Sequence, residues 1–305
     1  MTLDVIVVGA GPAGLSAALI LGRCRRRVLV LDTNRYRNAA SRVMHGFLSR
    51  DGIDPEQLRQ IARDQLAPYD TVSIERAEAT QARRLDRVFE VTLADGRQLR
   101  CRKILLATGV VDLIPQIEGL DEMYGLSVFH CPYCDGWESR DQPLAVYSRT
   151  SNGVGLAVEL TVWSRDIVLC TDGVAKLTDK HRARLTHHGI SWRAEKIARL
   201  EGKEGQLERL VFAAGETLER RVMFFSAGQR QGAALARQLG CTFTRKGAVC
   251  TGEYEATSIP GVYVAGDASK LVQLAIVAAA EGAQAAFAIN TSLIKEELRQ
   301  AGDGQ

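Results

Sequence analysis

A glycine turn set between a strand and a helix constrains this chain more than any other stretch. Asp4–Val8 is a short, mostly apolar run that enters Gly9-Ala10-Gly11-Pro12-Ala13-Gly14 and then a helical run from Leu15 to Gly22. A second apolar run, Arg27–Leu31, ends in Asp32. Strand, glycine turn, helix, strand and acid together read as a dinucleotide-binding βαβ unit, the alternative being a glycine-rich turn in some other α/β fold. Gly9 allows the tight turn, Gly11 lets backbone N–H groups approach a pyrophosphate, and Gly14 lets the helix lie close to the strand. Asp32 is placed to accept hydrogen bonds from a ribose. The expected cofactor-binding residues here are Gly9, Gly11, Pro12, Ala13, Gly14 and Asp32.

Further along, Phe89–Leu93, Asp95-Gly96 and Gln98–Lys103 read as a β-hairpin. A strand Lys103–Leu106 then stops at Ala107-Thr108-Gly109. Much later, the apolar run Gly261–Ala265 ends in Gly266-Asp267, ahead of an alanine-rich helix expected from about Leu271. Between these halves come a strand Pro143–Tyr147, a helix Gly153–Ser164, a strand Asp166–Cys170, and strands around Leu210–Phe212 and Val222–Phe225. The expected fold is α/β: two Rossmann-like dinucleotide-binding domains, the second inserted into the first. The boundaries place the first domain at 1–112 and 245–305 and the inserted one at 113–244.

The inserted stretch opens with His130-Cys131-Pro132-Tyr133-Cys134-Asp135-Gly136. Two cysteines at this spacing can close a small disulfide ring and reopen it, taking two electrons from a thiol and passing them on. Pro132 fixes one torsion between them. Asp135 puts a carboxyl beside the second sulfur, where a proton must come and go. The alternative is half of a zinc site with His130 as a third ligand. The other cysteines, Cys24, Cys101, Cys170, Cys241 and Cys250, are isolated, so no second pair completes such a site.

Bulk properties exclude several classes. A net charge of +3 on 305 residues is too small to argue for nucleic acid. The run Arg23, Arg25, Arg26, Arg27 closes a helix, where cations suit the negative helix end. The helix from about Leu271 to Ile289 is interrupted by Gln273, Glu281 and Gln284, which reads as a buried helix and not a membrane span. No signal-peptide pattern opens the chain, and seven cysteines with one close pair do not form a secreted framework, so a cytoplasmic location is expected.

These motifs, in this order, resemble the low-molecular-weight thioredoxin reductases over nearly the whole chain. The resemblance implies FAD in the outer domain, bound also by Ala107, Thr108, Gly109, Gly266, Asp267 and Gln273, and a homodimer. It implies no metal. It makes Cys131 the outer sulfur attacked by a thiolate, Cys134 the inner sulfur that passes electrons to the flavin, and Asp135 the proton carrier.

The departures from that family are informative. A second glycine fingerprint should follow Val146 to hold NADPH, yet Ser148 and Thr150 occupy its leading glycine positions, with Arg149 and Asn152 beside them. The next strand ends Cys170-Thr171-Asp172-Gly173, with an acid where basic residues for a 2′-phosphate would stand. The NADPH site reads as degenerate. Cys-Pro-Tyr-Cys is also closer to the FAD-dependent dithiol oxidases of natural-product pathways, of the gliotoxin, holomycin and romidepsin type. The expected function is oxidation of a small-molecule dithiol with dioxygen as acceptor. The alternatives are reduction of a thioredoxin-like protein with NADPH, ferredoxin or another donor, or a redox-dead binding module. Trp163 is expected in the core, Trp137 beside the thiol pocket or packed, His45 as a structural histidine, and His187 and His188 at a helix end before Gly189.

Overall fold

β-Branched and leucine-rich runs too short for helices make the strands, and glycine or aspartate turns end them. In the computed structural model, which describes residues 2–226, 228–270 and 272–302, the chain divides into two units. One comprises Met1–Ala39, Gly46–Val111 and Arg230–Gln305, the other Ala40–His45 and Asp112–Gln229.

In the first unit, Leu3–Val8 lies between two parallel neighbours, Val28–Asp32 and Gln98–Leu106. Val72–Arg76 extends the sheet beyond Val28–Asp32. On the other side Val88–Leu93 and Ala79–Leu85 add antiparallel strands, and Val262–Val264 runs parallel to Gln98–Leu106. The expected hairpin strand and the strand after it are one element, Gln98–Leu106. Its first half pairs antiparallel with Val88–Leu93, and its second half pairs parallel with Val262–Val264. The sequence break between them is a change of partner, not of backbone. Val5, Ile6, Val7, Ile104 and Leu105 are fully buried, and each such side chain contributes roughly 1.5–3 kcal/mol.

The first unit resumes earlier than position 245. Leu235, Ala236, Leu239 and Cys241 pack into the same core as Ile6, Leu29 and Ile104, which assigns them to it. Leu271 lies outside the described residues, as do 303–305 of the tail. The last helix is Ala275–Gly302, so it starts later and runs further than expected.

The second unit holds a five-stranded parallel sheet in the order Ser191–Arg193, Ile167–Cys170, Leu144–Tyr147, Val222–Phe225, Val128–Phe129. An antiparallel meander, Ile197–Lys203, Gln206–Phe212 and Thr217–Glu219, accompanies it. Asn152–Glu159 is the helix after Leu144–Tyr147, continued by a 3-10 turn Leu160–Val162. Among the described residues no helix is long and apolar enough to cross a membrane.

Candidate active site

Three parallel strands of the first unit end level with one another, because Val8 and Val264 are both register partners of Leu106. Their next residues therefore emerge along one edge: Gly9, Ala107 and Ala265. Gly9 has φ +111°, and a Cβ there would stand 2.2 Å from the Ala107 oxygen. Only glycine lets the first turn lie against Ala107-Thr108-Gly109. A Cβ on Gly14 would stand 1.8 Å from the Gly9 oxygen. A Cβ on Gly11 would meet no protein atom within 4 Å. Gly14 thus serves packing, while Gly11 faces open space at the start of the helix Pro12–Arg23, whose N-cap carries no side-chain hydrogen bond. That opening beside a helix N-terminus, at the point where the strand order reverses, fits a dinucleotide pyrophosphate.

Gly266 comes close to the same turn. A Cβ there would lie 3.2 Å from the Ala13 Cβ. Asp267 and Gln273 are joined by a residue the sequence reading did not single out: Arg37 Nη1 donates to Asp267 Oδ2 and to Gln273 Oε1, each at 2.8 Å. Gln273 precedes the last helix by two residues instead of starting it. Asp32 is buried, and its carboxylate accepts from the Asn34 amide (2.8 Å), from Arg63 Nη2 (2.9 Å) and from the Tyr36 hydroxyl. The Arg59 guanidinium covers the Tyr36 ring at 3.8 Å. Burial and the Asp32 charge push the Tyr36 hydroxyl well above its ordinary value, so it stays a donor. Tyr36 and Arg37 come from an irregular loop, and Arg59, which is buried, and Arg63, which is half-buried, from the helix Pro55–Leu66, where charged residues give no apolar pattern to mark them. On the last helix, Glu281 accepts the Gly266 N–H at 2.7 Å, and burial pushes its carboxyl up to about 7.

In the second unit Cys131 and Cys134 form a disulfide, with Cα atoms 5.3 Å apart. That pairing fits a redox-active CxxC. Cys131 is the N-cap of the short helix Pro132–Asp135. His130 Nδ1 lies 3.1 Å from the Tyr124 hydroxyl, and its Nε2 lies 3.7 Å from Asp112. Burial pushes the Asp135 carboxyl up to about 7, the Glu138 charge adds to the rise, and His45 opposes it. His45 Nε2 is 3.5 Å from Glu138 Oε1. His45 thus acts on the Asp135 carboxyl beside the CxxC, although it is remote in sequence. Trp137 is 65% exposed under the Arg140 guanidinium, so it is not packed inside. Trp163 is only half-buried and lies edge-on to Tyr133. His188 caps the helix Asp179–His187, ahead of Gly189 at φ +68°.

The raised Asp135 value has a stability consequence with a definite sign. The folded state holds this proton up to about pH 7, whereas an unfolded aspartate releases it near its ordinary value of 3.8. Stability is therefore lost as pH rises between those values, by an amount on the order of a few kcal/mol. Asp135→Asn is expected to raise the melting temperature at pH 8 and leave it nearly unchanged at pH 4. Equal melting temperatures at pH 8 would count against a buried, protonated Asp135.

The turn after Tyr147 is closed upon itself. The Ser148 side chain is fully buried, and its Oγ accepts the Thr150 N–H at 3.3 Å. Thr150 Oγ1 accepts the Asn152 N–H at 3.3 Å, and its carbonyl accepts the Gly153 N–H at 3.2 Å. Asp172, at the end of the neighbouring strand, accepts from the Tyr147 hydroxyl and the Ile197 N–H, each at 3.1 Å, and pairs with Arg149 at 3.6 Å.

A two-Rossmann fold with a CxxC disulfide in the inserted unit defines a class of disulfide oxidoreductases. The chain belongs to the pyridine nucleotide-disulphide oxidoreductase family, whose profile matches residues 3–282. Its members are FAD-binding flavoproteins, and this chain is an oxidoreductase of that kind. It is 30% identical to the thioredoxin reductase sirT of Leptosphaeria maculans, over 97% of this chain and 95% of that one. It is also 30% identical to the thioredoxin reductase tcpT of Claviceps purpurea, over 87% and 86%. Among solved structures it is similar to HlmI, with a TM-score of 0.95 and 35% identity over 99% of this chain and 96% of the other.

Proposed function

We propose that this chain is an FAD-dependent dithiol oxidase that closes a disulfide in a small-molecule dithiol with dioxygen as final acceptor. The observation that carries this reading is the self-satisfied turn at Ser148–Gly153. A pyrophosphate binds where helix-start N–H groups are free and unobstructed. Here the N–H groups of Thr150, Asn152 and Gly153 already have partners in Ser148 and Thr150. Asp172, where a 2′-phosphate would need cations, is a carboxylate whose one arginine is already paired to it. The residues match an enzyme that no longer takes electrons from NADPH.

The chain's own residues then perform the exchange. A substrate thiolate attacks the Cys131 sulfur, the Cys131–Cys134 bond breaks, and Cys134 leaves as a thiolate. The substrate's second thiol attacks its own sulfur in the mixed disulfide and displaces Cys131. The substrate leaves as a disulfide, having lost two electrons and two protons, and the pair is left as two thiols. Asp135, with its raised proton affinity, holds or releases the proton beside Cys134 near neutral pH. A bound FAD supplies the two-electron relay that returns the pair to the disulfide and delivers the electrons to dioxygen as peroxide.

Anaerobic stopped-flow tests the reading. Dithiothreitol is expected to bleach the flavin quickly, and NADPH slowly and with weak saturation. A like charge at Asp172 repels a 2′-phosphate by about 1 to 4 kcal/mol, or about fivefold to nearly a thousandfold in affinity. Air should then restore the oxidised spectrum and yield peroxide. Rapid bleaching by NADPH at catalytic rates would replace this reading with an NADPH-dependent reductase.

A further inference from the structure

We propose that Trp163 is a positioning residue for the redox disulfide, setting the equilibrium between the Cys131–Cys134 disulfide and its dithiol form. The inference rests on the reading of this pair as the redox centre. The pair is carried by the four-residue helix Pro132–Asp135. Its bonds are local: the Cys134 and Asp135 N–H groups donate to the Cys131 oxygen at 3.2 Å, and the Gly136 N–H donates to the Pro132 oxygen at 2.8 Å. One turn of helix is not stable by itself, because nucleation fixes several residues for one hydrogen bond. Something outside the turn must hold it.

The indole of Trp163 meets that need. A Cβ on Gly136 would stand 2.7 Å and 2.8 Å from the indole Cδ2 and Cε2. Only the missing side chain lets the turn lie flat on the ring. Tyr133 meets the same ring edge-on, with centroids 5.9 Å apart and planes at 85°, although Tyr133 is 69% exposed. Residues 133 and 136 flank Cys134 in the chain, so the ring meets the turn on either side of it in sequence. Trp163 is itself anchored. Its backbone N–H donates to the oxygen of Leu160, a fully buried residue, and its backbone oxygen accepts the Asp141 N–H, both at 2.9 Å.

This backing acts differently on the two redox states. The disulfide is a covalent ring that holds Cys134 against Cys131 whatever lies behind it. The dithiol has no such bond, and only packing keeps the two sulfurs together. Packing that persists in the dithiol raises the effective concentration of one thiol at the other and favours ring closure. Removing the indole frees the dithiol alone, so reduction becomes easier.

The test equilibrates the FAD-loaded protein with dithiothreitol redox buffers and traps the two cysteines by alkylation, read as a mass shift. Trp163→Ala is expected to raise the equilibrium constant for reduction about tenfold, or about 30 mV in potential. Trp163→Phe, which keeps a ring there, should stay within about threefold of wild type, and Trp192→Ala, on another strand, should leave the value unchanged. Tyr133→Ala removes one ring contact from the exposed side and should shift the constant at least about twofold in the same direction. Should Trp163→Ala fail to fold, the Tyr133 variant decides by that threshold. Folded Trp163→Ala and Tyr133→Ala proteins that both stay within about twofold of wild type would overturn the proposal, whatever their melting temperatures. A wild-type pair that no buffer interconverts would instead sink the reading of the pair as the redox centre.

Discussion

Cys134→Ser is expected to abolish reduction of the flavin by any dithiol, a loss of about three orders of magnitude or more, as for removal of an essential nucleophile. The two sulfurs are not interchangeable. Both cysteines are half-buried, so exposure does not rank them. The resemblance to the thioredoxin reductases does, making Cys134 the inner sulfur, and Asp135, with its carboxyl pushed up to about 7, directly follows it in the chain. A group that keeps its proton until neutral pH can hand it over where a thiolate forms. Cys131→Ser should therefore leave a Cys134 sulfur competent to act on the flavin, seen as long-wavelength charge-transfer absorption as its thiolate forms. The same variant should lose exchange with substrate dithiols. Absorbance spectra of the two variants, with anaerobic dithiol titrations, separate the roles. A charge-transfer band in Cys134→Ser and none in Cys131→Ser would reverse the order.

Gly11→Leu is expected to leave a folded protein that has lost its flavin, with occupancy falling from about one FAD per chain to less than about a tenth. Its Cβ would meet no protein atom within 4 Å, so the backbone need not shift to admit a side chain there. That space is where a pyrophosphate must approach the helix start. Gly14→Val should behave in the opposite way. Its Cβ would fall 1.8 Å from a backbone oxygen, so helix and strand must part and stability drops with or without cofactor. Flavin absorbance per chain and thermal melting measure the two effects separately. A Gly11→Leu protein with full FAD would refute the assignment of that turn.

The contrast between these two glycines indicates how far the sequence carries. The order of strand, turn, helix and acid is a local pattern, and it is legible because each residue's role depends on near neighbours. The disulfide is legible for the same reason. What was not legible comes from long-range pairing. Arg37 gives no sign in the sequence that it will join Asp267 to Gln273, more than two hundred residues away. Asp32 reads as an open ribose acceptor, but Tyr36 and Arg63 reach it from a loop and from the helix Pro55–Leu66. The loss of glycines at 148 and 150 could be read, whereas the capture of the turn's N–H groups by their replacements could not. Two meander strands, Ile197–Lys203 and Thr217–Glu219, were missed because charged residues interrupt their apolar positions. Trp163 reads as a core residue, and it packs, half-buried, against the core around Leu144, Val146 and Leu160. Its contact with Gly136 depends on how a later element folds back on an earlier one.

The six residues Ala40–His45 belong to the body of the second unit, although the first unit's sequence surrounds them on both sides. The Ala40 carbonyl lies 2.6 Å from where a Cβ on Gly125 would be, and His45 reaches Glu138. The inserted unit is therefore not a cassette. A gene fragment encoding residues 112–229 would yield a protein missing part of its own wall and the imidazole that pairs with Glu138 beside Asp135. A chimaera that exchanges only that interval with a relative would pair a foreign insert with a native Ala40–His45 segment. Recombination that respects the fold must move both intervals together, so the unit that carries the disulfide is inherited with six residues encoded inside the other.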